Sequence, residues 1–194
     1  MSVVPRRTAL PLALMFASLS LSSMPLLASE PANRAADGRA GPTGRVTGLA
    51  LPRFVSLKAR TVNMRVGPGT QYPIAWTYQR AGWPVQVVEE HGLWRKVRDA
   101  DGDTGWVLHS LLTGRRTALV TPWNVVLPAR ARSPLVEARR GPARTAAVAA
   151  KLQAGRLVRV RACDSAWCAI EAEGREAWLP QSSLWGVGSK EVVK

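Results

Sequence analysis

Val62-Asn63-Met64-Arg65-Val66-Gly67-Pro68-Gly69 opens the stretch that decides the fold, and Gly105-Trp106-Val107-Leu108-His109-Ser110-Leu111-Leu112 closes it. Val62 and Met64 alternate with Asn63 and Arg65, the period-two pattern of a short strand. Gly67-Pro68-Gly69 ends it, because glycine tolerates unusual backbone angles and proline rigidifies a turn. Gly82-Trp83-Pro84 marks the next turn. Val85 to Val88 reads as a strand with Val85 and Val87 on one face. Glu90-His91-Gly92 turns the chain, Trp94 to Arg98 returns as a strand, and Asp101-Gly102 is a tight hairpin signal. Trp106 to Leu108 is the last strand, and Ser110-Leu111-Leu112 makes a short helical turn. From Phe54 onward no segment carries an apolar repeat of helical period. Short apolar runs bounded by Gly, Pro and Asp predict an all-β fold.

The chain then repeats itself. Val136-Glu137-Ala138-Arg139-Arg140-Gly141-Pro142 lies over Val62 to Pro68 at an offset of 74. Gly155 lies over Gly82, Val158 and Val160 over Val85 and Val87, and Trp167 over Trp94. Trp178 lies over Trp106 at an offset of 72, and Leu184 closes the second copy as Leu112 closes the first. Arg115 to Pro122 reads as the join, with Trp123 to Leu127 starting the second copy. Units of about 60 residues are marginal on burial alone, and the second is richer in Ala than the first.

Outward from the repeats, residues 1–28 have the layout of a secretory signal peptide: Arg6 and Arg7, an uncharged apolar run from Ala9 to Leu27, and a small residue at Ala28. The competing reading is an uncleaved anchor, which Pro11 and Pro25 interrupt. Residues 29–53 are rich in Pro, Gly, Ala and Arg, and the expectation is a disordered linker. Domain 1 is then expected over 54–117, domain 2, the divergent one, over 118–188, and a tail over 189–194. The 194-residue chain carries a formal charge of +14, and removing Arg6 and Arg7 with the signal leaves 25 Lys and Arg against 13 Asp and Glu, or +12. Such a balance favours anionic partners or is simply an Arg-rich soluble surface. Cys163 and Cys168, close together in an exported chain, read as a structural disulfide. Zinc lacks further ligands, and a thioredoxin-type site has two intervening residues rather than four.

Asn63-Met64-Arg65-Val66-Gly67-Pro68-Gly69, a Gly before a Val-rich strand, Trp94, and Gly105-Trp106-Val107 together resemble the bacterial SH3-like domain family. The resemblance covers about 54–114. A degraded version spans about 123–187, where Glu137 replaces Asn63 and Ala177 replaces Gly105. It implies two tandem small SH3-like β-barrels, each a partly open barrel of five or so short strands. It also implies export, a targeting role beside cell-wall enzymes, and peptidoglycan or another envelope component as ligand. Paired copies behind a signal peptide resemble exported SH3 domain-containing proteins of Gram-negative bacteria, which implies the periplasm.

A cell-wall peptidase needs a nucleophile, a His base and an orienting group. The repeats use nearly all of the folded chain, and neither His91 nor His109 has a second copy, so both read as surface residues and no catalytic residue is expected. No metal site or cofactor is expected either. Asp99, Asp101 and Asp103 with Gly102 superficially suggest a calcium loop, but the glycine is misplaced and Ser110 stands where a bidentate Glu is needed; a hairpin turn is the simpler reading. Trp106 and Trp178 are expected in the cores. Tyr72, Trp76, Tyr78 and Trp94 form a candidate aromatic groove for a glycan or peptide, against the alternative that Trp76 and Tyr78 cover the barrel end. Arg139, Arg140, Arg144, Arg159 and Arg161, within a run from Arg130 to Arg161 opposed only by Glu137, form a candidate anion patch, against the alternative of a solvated face. The expected function is a non-enzymatic exported binding or scaffold protein that contacts peptidoglycan or an envelope protein. The alternatives are an adaptor for a periplasmic enzyme and an electrostatic binder of anionic envelope polymers. Nucleic acid is disfavoured, since no stacking motif interleaves the arginines, and no stable membrane span is expected after signal cleavage.

Overall fold

The computed structural model describes residues 42–122 and 134–194. The signal peptide, residues 29–41 of the expected linker, Trp123 to Leu127, Arg130 and Arg132 lie outside the described residues. The expected all-β architecture is present as two tandem modules. Module 1 comprises β1 (Arg53–Leu57), β2 (Val62–Arg65), β3 (Ile74–Tyr78), β4 (Pro84–His91), β5 (Trp94–Arg98), β6 (Thr104–Leu108), a 3₁₀ turn (His109–Leu111) and β7 (Leu112–Thr113). Module 2 comprises β8 (Thr117–Val120), β9 (Leu135–Arg139), β10 (Val148–Gln153), β11 (Leu157–Asp164), β12 (Trp167–Ala172), β13 (Arg175–Pro180), a 3₁₀ turn (Gln181–Ser183), β14 (Leu184–Trp185) and β15 (Val192–Val193).

The two sheets have the same topology, with strand order β3-β2-β6-β5-β4-β1-β7 in one and β10-β9-β13-β12-β11-β8-β14 in the other. The predicted repeat is therefore structural. Arg65 pairs with Trp106 where Arg139 pairs with Trp178, and Trp94 pairs with Leu108 where Trp167 pairs with Pro180. Neither sheet closes fully, in keeping with the partly open barrel that the resemblance implies; each remains open between β3 and β7, or β10 and β14. Thr117–Val120, which lies at the start of the expected domain 2 and within the stretch read as the join, is the counterpart of β1 and pairs with β11 and β14. All four of its residues are buried, so its apolar run is a core strand rather than a connector.

Core placement follows strand periodicity until a bulge interrupts it. Val85 and Val87 face inward, as do Val158 and Val160. A register shift between Val87 and Glu89 on β4, and between Val160 and Ala162 on β11, then moves the inward face by one residue. The next inward positions become Glu90 and Cys163. Met64 is buried against Gly105, where a Cβ would lie 2.5 Å from Met64 Cγ and 2.8 Å from the Arg65 carbonyl. In module 2, Ala177 and Ala138 occupy the positions of Gly105 and Met64 and are both buried in the core, so a larger residue at one position goes with a smaller one at the other.

The expectation of a linker through residue 53 is corrected for its last twelve residues. Pro42–Leu51 forms a compact turn, closed by Thr43 bridging Ala50 and by the Leu51 amide donating to the Pro42 carbonyl at 2.8 Å. It is held by backbone polar groups rather than by large apolar side chains, which is why composition misjudged it. Arg53 already belongs to β1.

The modules are joined by a polar contact. The Thr117 hydroxyl donates to the Gly82 carbonyl at 2.6 Å, and the buried Ser56 Oγ lies 2.6 Å from Thr117 Oγ1 and 2.7 Å from the Arg115 carbonyl. Phe54 meets Trp185 edge to face at 5.2 Å between ring centres. Cys163 and Cys168 form the expected disulfide, both buried, across directly paired positions of β11 and β12. Such a bond belongs to an oxidising, extracytoplasmic compartment.

Candidate functional site

Trp76 and Tyr78 of β3 have different fates. Tyr78, at its C-terminal end, is only 6% exposed, whereas Trp76 is 58% exposed. Trp76, Tyr78 and Trp83 line a groove of about 330 Å³ together with Asp99, Asp101 and Asp103. β3 supplies Trp76 and Tyr78, the turn into β4 supplies Trp83, and the β5–β6 hairpin supplies the carboxylates. Asp99 organises that hairpin: its Oδ1 accepts from the amides of Asp103 at 2.9 Å and Asp101 at 3.1 Å, an Asx-type turn. Its Oδ2 accepts from the Tyr78 hydroxyl at 3.1 Å. Burial pushes the Tyr78 phenol far up, and the Asp99 charge adds to it, so Tyr78 remains a donor. Burial also raises Asp101, reinforced by the Asp99 and Asp103 carboxylates. Arg80 lies over Trp83, its guanidinium carbon 6.0 Å from the ring centre. The groove thus offers two indoles and three acidic side chains, a combination suited to a ligand with an apolar body and a positive end.

The predicted aromatic groove is only half assembled. Trp76 and Tyr78 belong to it. Tyr72 does not line it: its ring folds over Gly67, where a Cβ would sit 2.5 Å from the ring, while its carbonyl accepts from Arg65 Nη1 at 2.6 Å. Trp94 lies on the outer face of β5, opposite His91 and Leu108, and does not line the groove. Trp83 and the three aspartates were read from the sequence only as turn residues. The signal that places them is the strand order, which sets the β5–β6 hairpin beside the β2–β3 end of the sheet.

The predicted anion patch is divided. Arg139 is engaged by Glu137 at 3.0 Å and donates to the Ala146 carbonyl at 2.7 Å. Arg159 and Arg161 face Glu171 at 3.8 and 3.1 Å, and Arg161 lies 3.9 Å from Glu176. Sheet pairing brings these carboxylates across from β12 and β13, so the local impression of a run opposed only by Glu137 is corrected. Arg140 and Arg144 are exposed and make no ion pair among the described residues. Arg140, Lys151, Arg156 and Arg175 line a groove of about 520 Å³ on module 2, with Glu173 and Glu176. There Ala150 stands opposite Ala138 as Trp76 stands opposite Met64. The acidic hairpin tip, residues 99–103, is reduced to Glu173-Gly174.

A second carboxylate centre lies at the far end of β4. Glu90 is buried, and its oxygens accept from the Val46 amide at 3.0 Å, the Thr47 amide at 2.9 Å and the Thr47 hydroxyl at 2.7 Å. Arg53 Nη2 lies 2.7 Å from it and Arg95 Nε 3.5 Å. Burial alone would raise this carboxyl, but the Thr47 donors, Arg53 and the Val46 amide overcome that and hold it down at about 2. A Cβ at Gly44 would fall on the same carboxylate. Glu90 therefore anchors the 42–51 turn.

Among the described residues, no group of three or more His, Cys, Asp or Glu side chains is placed to hold a metal ion. No helix of those residues is long and apolar enough to cross a membrane.

The family model described as bacterial SH3 domain matches residues 58–114 and 132–186. No curated protein sequence matches the chain. Solved structures of NlpC2 and NlpC1 from Trichomonas vaginalis are similar to it at 11% identity, with TM-scores of 0.30 and 0.29. The alignments cover 69% of this chain in both cases, and 48% and 45% of those chains. The chain thus spans about half the length of the NlpC proteins it matches.

Proposed function

The chain belongs to the bacterial SH3 domain family, and from that premise we propose that it is a non-enzymatic exported protein of the periplasm that binds peptidoglycan or another envelope component through module 1. Modules of this family commonly bind cell-wall components, and the disulfide fits an oxidising compartment. The observation that carries the reading is the groove walled by Trp76 and Trp83 over Tyr78, with Trp76 more than half exposed. An exposed indole at the mouth of a groove is the kind of group that stacks on a sugar or peptide. The test is retention of the protein on purified sacculi at physiological salt, beside a control protein of equal charge. Retention above the control, reduced about tenfold by Trp76→Ala, is expected if that indole is a binding anchor. Retention no greater than the control sinks the proposal.

A second reading is supported by the sheet edge. β3 ends its sheet, and it exposes both Ile74 and Trp76, so a periplasmic enzyme's extended segment has a strand to pair with. Crosslinking in cells followed by mass spectrometry distinguishes this adaptor role: recovery of glycan fragments without a protein partner counts against it.

A further inference from the structure

The aromatic groove of module 1 shares one wall residue, Arg80, with a cleft at the module boundary. The opposite wall of that cleft, which measures about 450 Å³, is Arg156, Leu157, Ala172 and Glu173 of module 2. Arg156, Ala172 and Glu173 in turn line the groove between β10, β12 and β13. Three depressions therefore share walls in succession across both modules. Their charges change in order. The first has three carboxylates against the single Arg80. The middle cleft has Arg80 and Arg156 against Glu171 and Glu173. The last has Arg140, Lys151 and Arg175 against Glu176, beside an Arg156–Glu173 ion pair that is internally neutral.

We infer that the tandem modules form one continuous bipolar trough for an extended peptide, with a free ammonium group at the Trp76–Asp101 end and carboxylates at the Arg140–Lys151 end. This rests on the binding reading above and names the ligand class. Charge complementarity selects the occupant. A polyanion placed along the trough meets three aspartates at one end, and a polycation meets Arg140, Lys151 and Arg175 at the other, where Glu173 is already taken by Arg156. A neutral glycan gains from neither end. An ammonium group meets carboxylates beside indole faces, which attract cations, and a carboxylate meets guanidinium and ammonium donors. The Thr117–Gly82 and Ser56–Thr117 contacts beneath the middle cleft fix the spacing of the two ends, so the site is preorganised for a ligand of set length.

The test uses the full chain and the synthetic peptide Gly-Ala-Ala-Ala-Ala-Glu-Glu, titrated by tryptophan fluorescence, beside an N-acetylated form and a form ending in Gln-Gln-amide. Neutralising either end is expected to raise Kd about tenfold, the scale of one hydrogen-bonded charge. Asp101→Asn with Asp103→Asn should weaken the free-amine peptide and leave the acetylated one unchanged. Arg140→Gln with Lys151→Gln should weaken the carboxylate peptide and leave the amidated one unchanged. All four positions are exposed, so these variants keep the fold. Equal Kd for the three peptides overturns the inference, as does weakening by either double variant regardless of the charge at the matching end. The titrations decide the trough and the sacculus assay decides the envelope reading, so either can fall without the other.

Discussion

The same cross-strand position is locked in two different ways in the two modules. In module 1, Glu90 pairs with Arg95 across β4 and β5; in module 2, Cys163 pairs with Cys168 across β11 and β12. Both pairs follow the bulge that turns the inward face by one residue. One is a buried ion pair that also gathers Arg53 and the N-terminal turn. The other is a covalent bond beside which β15, near the C-terminus, pairs with β11 at Cys163 and Asp164. That terminal segment has a carboxylate anchor of its own: Glu191 meets Arg116 at 2.6 Å and accepts from the Gly188 amide at 2.6 Å. Each module thus carries a segment from one end of the described chain against the same part of its sheet. A buried carboxylate with several donors can hold a loop of backbone in place, which a disulfide cannot. A disulfide needs no countercharge in a small, Ala-rich core. The first lock depends on pH and the second on redox state.

The comparison breaks most severely at Glu90. Glu90→Gln leaves Arg53 and Arg95 without their countercharge and weakens the anchor of the 42–51 turn. We expect a loss of about 3 kcal/mol, the scale of removing one partner from a buried ion pair. Chemical denaturation measures it, and proteolysis between Pro42 and Leu51 reports release of the turn. The pH dependence has a definite sign. The folded-state carboxyl titrates at about 2, below its ordinary value of 4.5. Its contribution is therefore complete above the ordinary value and is lost as pH falls from there towards 2. Hydrogen exchange at pH 3 should show the turn opening while the Cys163–Cys168 hairpin stays protected.

The converse break lies in module 2. Cys163→Ser with Cys168→Ser removes a short covalent loop and should cost about 2 kcal/mol by loop entropy. The same loss should follow from reduction of the native protein, with module 1 contacts unaffected. A fall in stability that reducing agent does not reproduce would mean that the serines, rather than the lost bond, disturb the core.

A third test exchanges core sizes between the modules. Gly105→Ala places a Cβ against Met64 and the Arg65 carbonyl, an overpacking cost of about 1–2 kcal/mol. Module 2 tolerates alanine at 177 beside Ala138. Adding Met64→Ala to Gly105→Ala should therefore recover part of the Gly105→Ala loss in a double-mutant cycle, and strictly additive losses would refute the paired-size explanation.

These locks show where sequence reading succeeds and where it stops. The repeat, the strands and the inward Val85, Val87, Val158 and Val160 were legible because alternation with period two is local. The bulge is not: period-two counting from Val87 points Glu89 inward and Glu90 outward, so the buried carboxylate was invisible. The N-terminal turn was misjudged because its bonds come from the amides of Val46 and Thr47, which composition does not register. At the site, Trp76 and Tyr78 stood out as aromatics, but Tyr72 and Trp94 were grouped with them because strand faces say nothing about which end of a sheet a residue occupies. Trp83 and Asp99 to Asp103 reach the groove only through the order of the strands. The arginine patch lost Arg159 and Arg161 for the same reason, since Glu171 and Glu176 reach them across the sheet.

The smallest expected effect concerns the hairpin tips, five residues at 99–103 against two at 173–174. Burial and the neighbouring carboxylates of Asp99 and Asp103 raise Asp101, so its ionised form is disfavoured in the folded state. Asp101→Asn removes that repulsion, and the midpoint of urea unfolding at neutral pH should rise slightly. The gain should shrink as pH falls through the raised value and vanish where both side chains are neutral. Asp99 must remain, because its Oδ1 holds the Asp101 and Asp103 amides and its Oδ2 holds Tyr78; Asp99→Asn should therefore destabilise where Asp101→Asn stabilises. Opposite signs at two aspartates of one loop would separate the residue that builds the groove from the one that charges it. Equal signs would mean that the tip is held by something other than the Asp99 carboxylate.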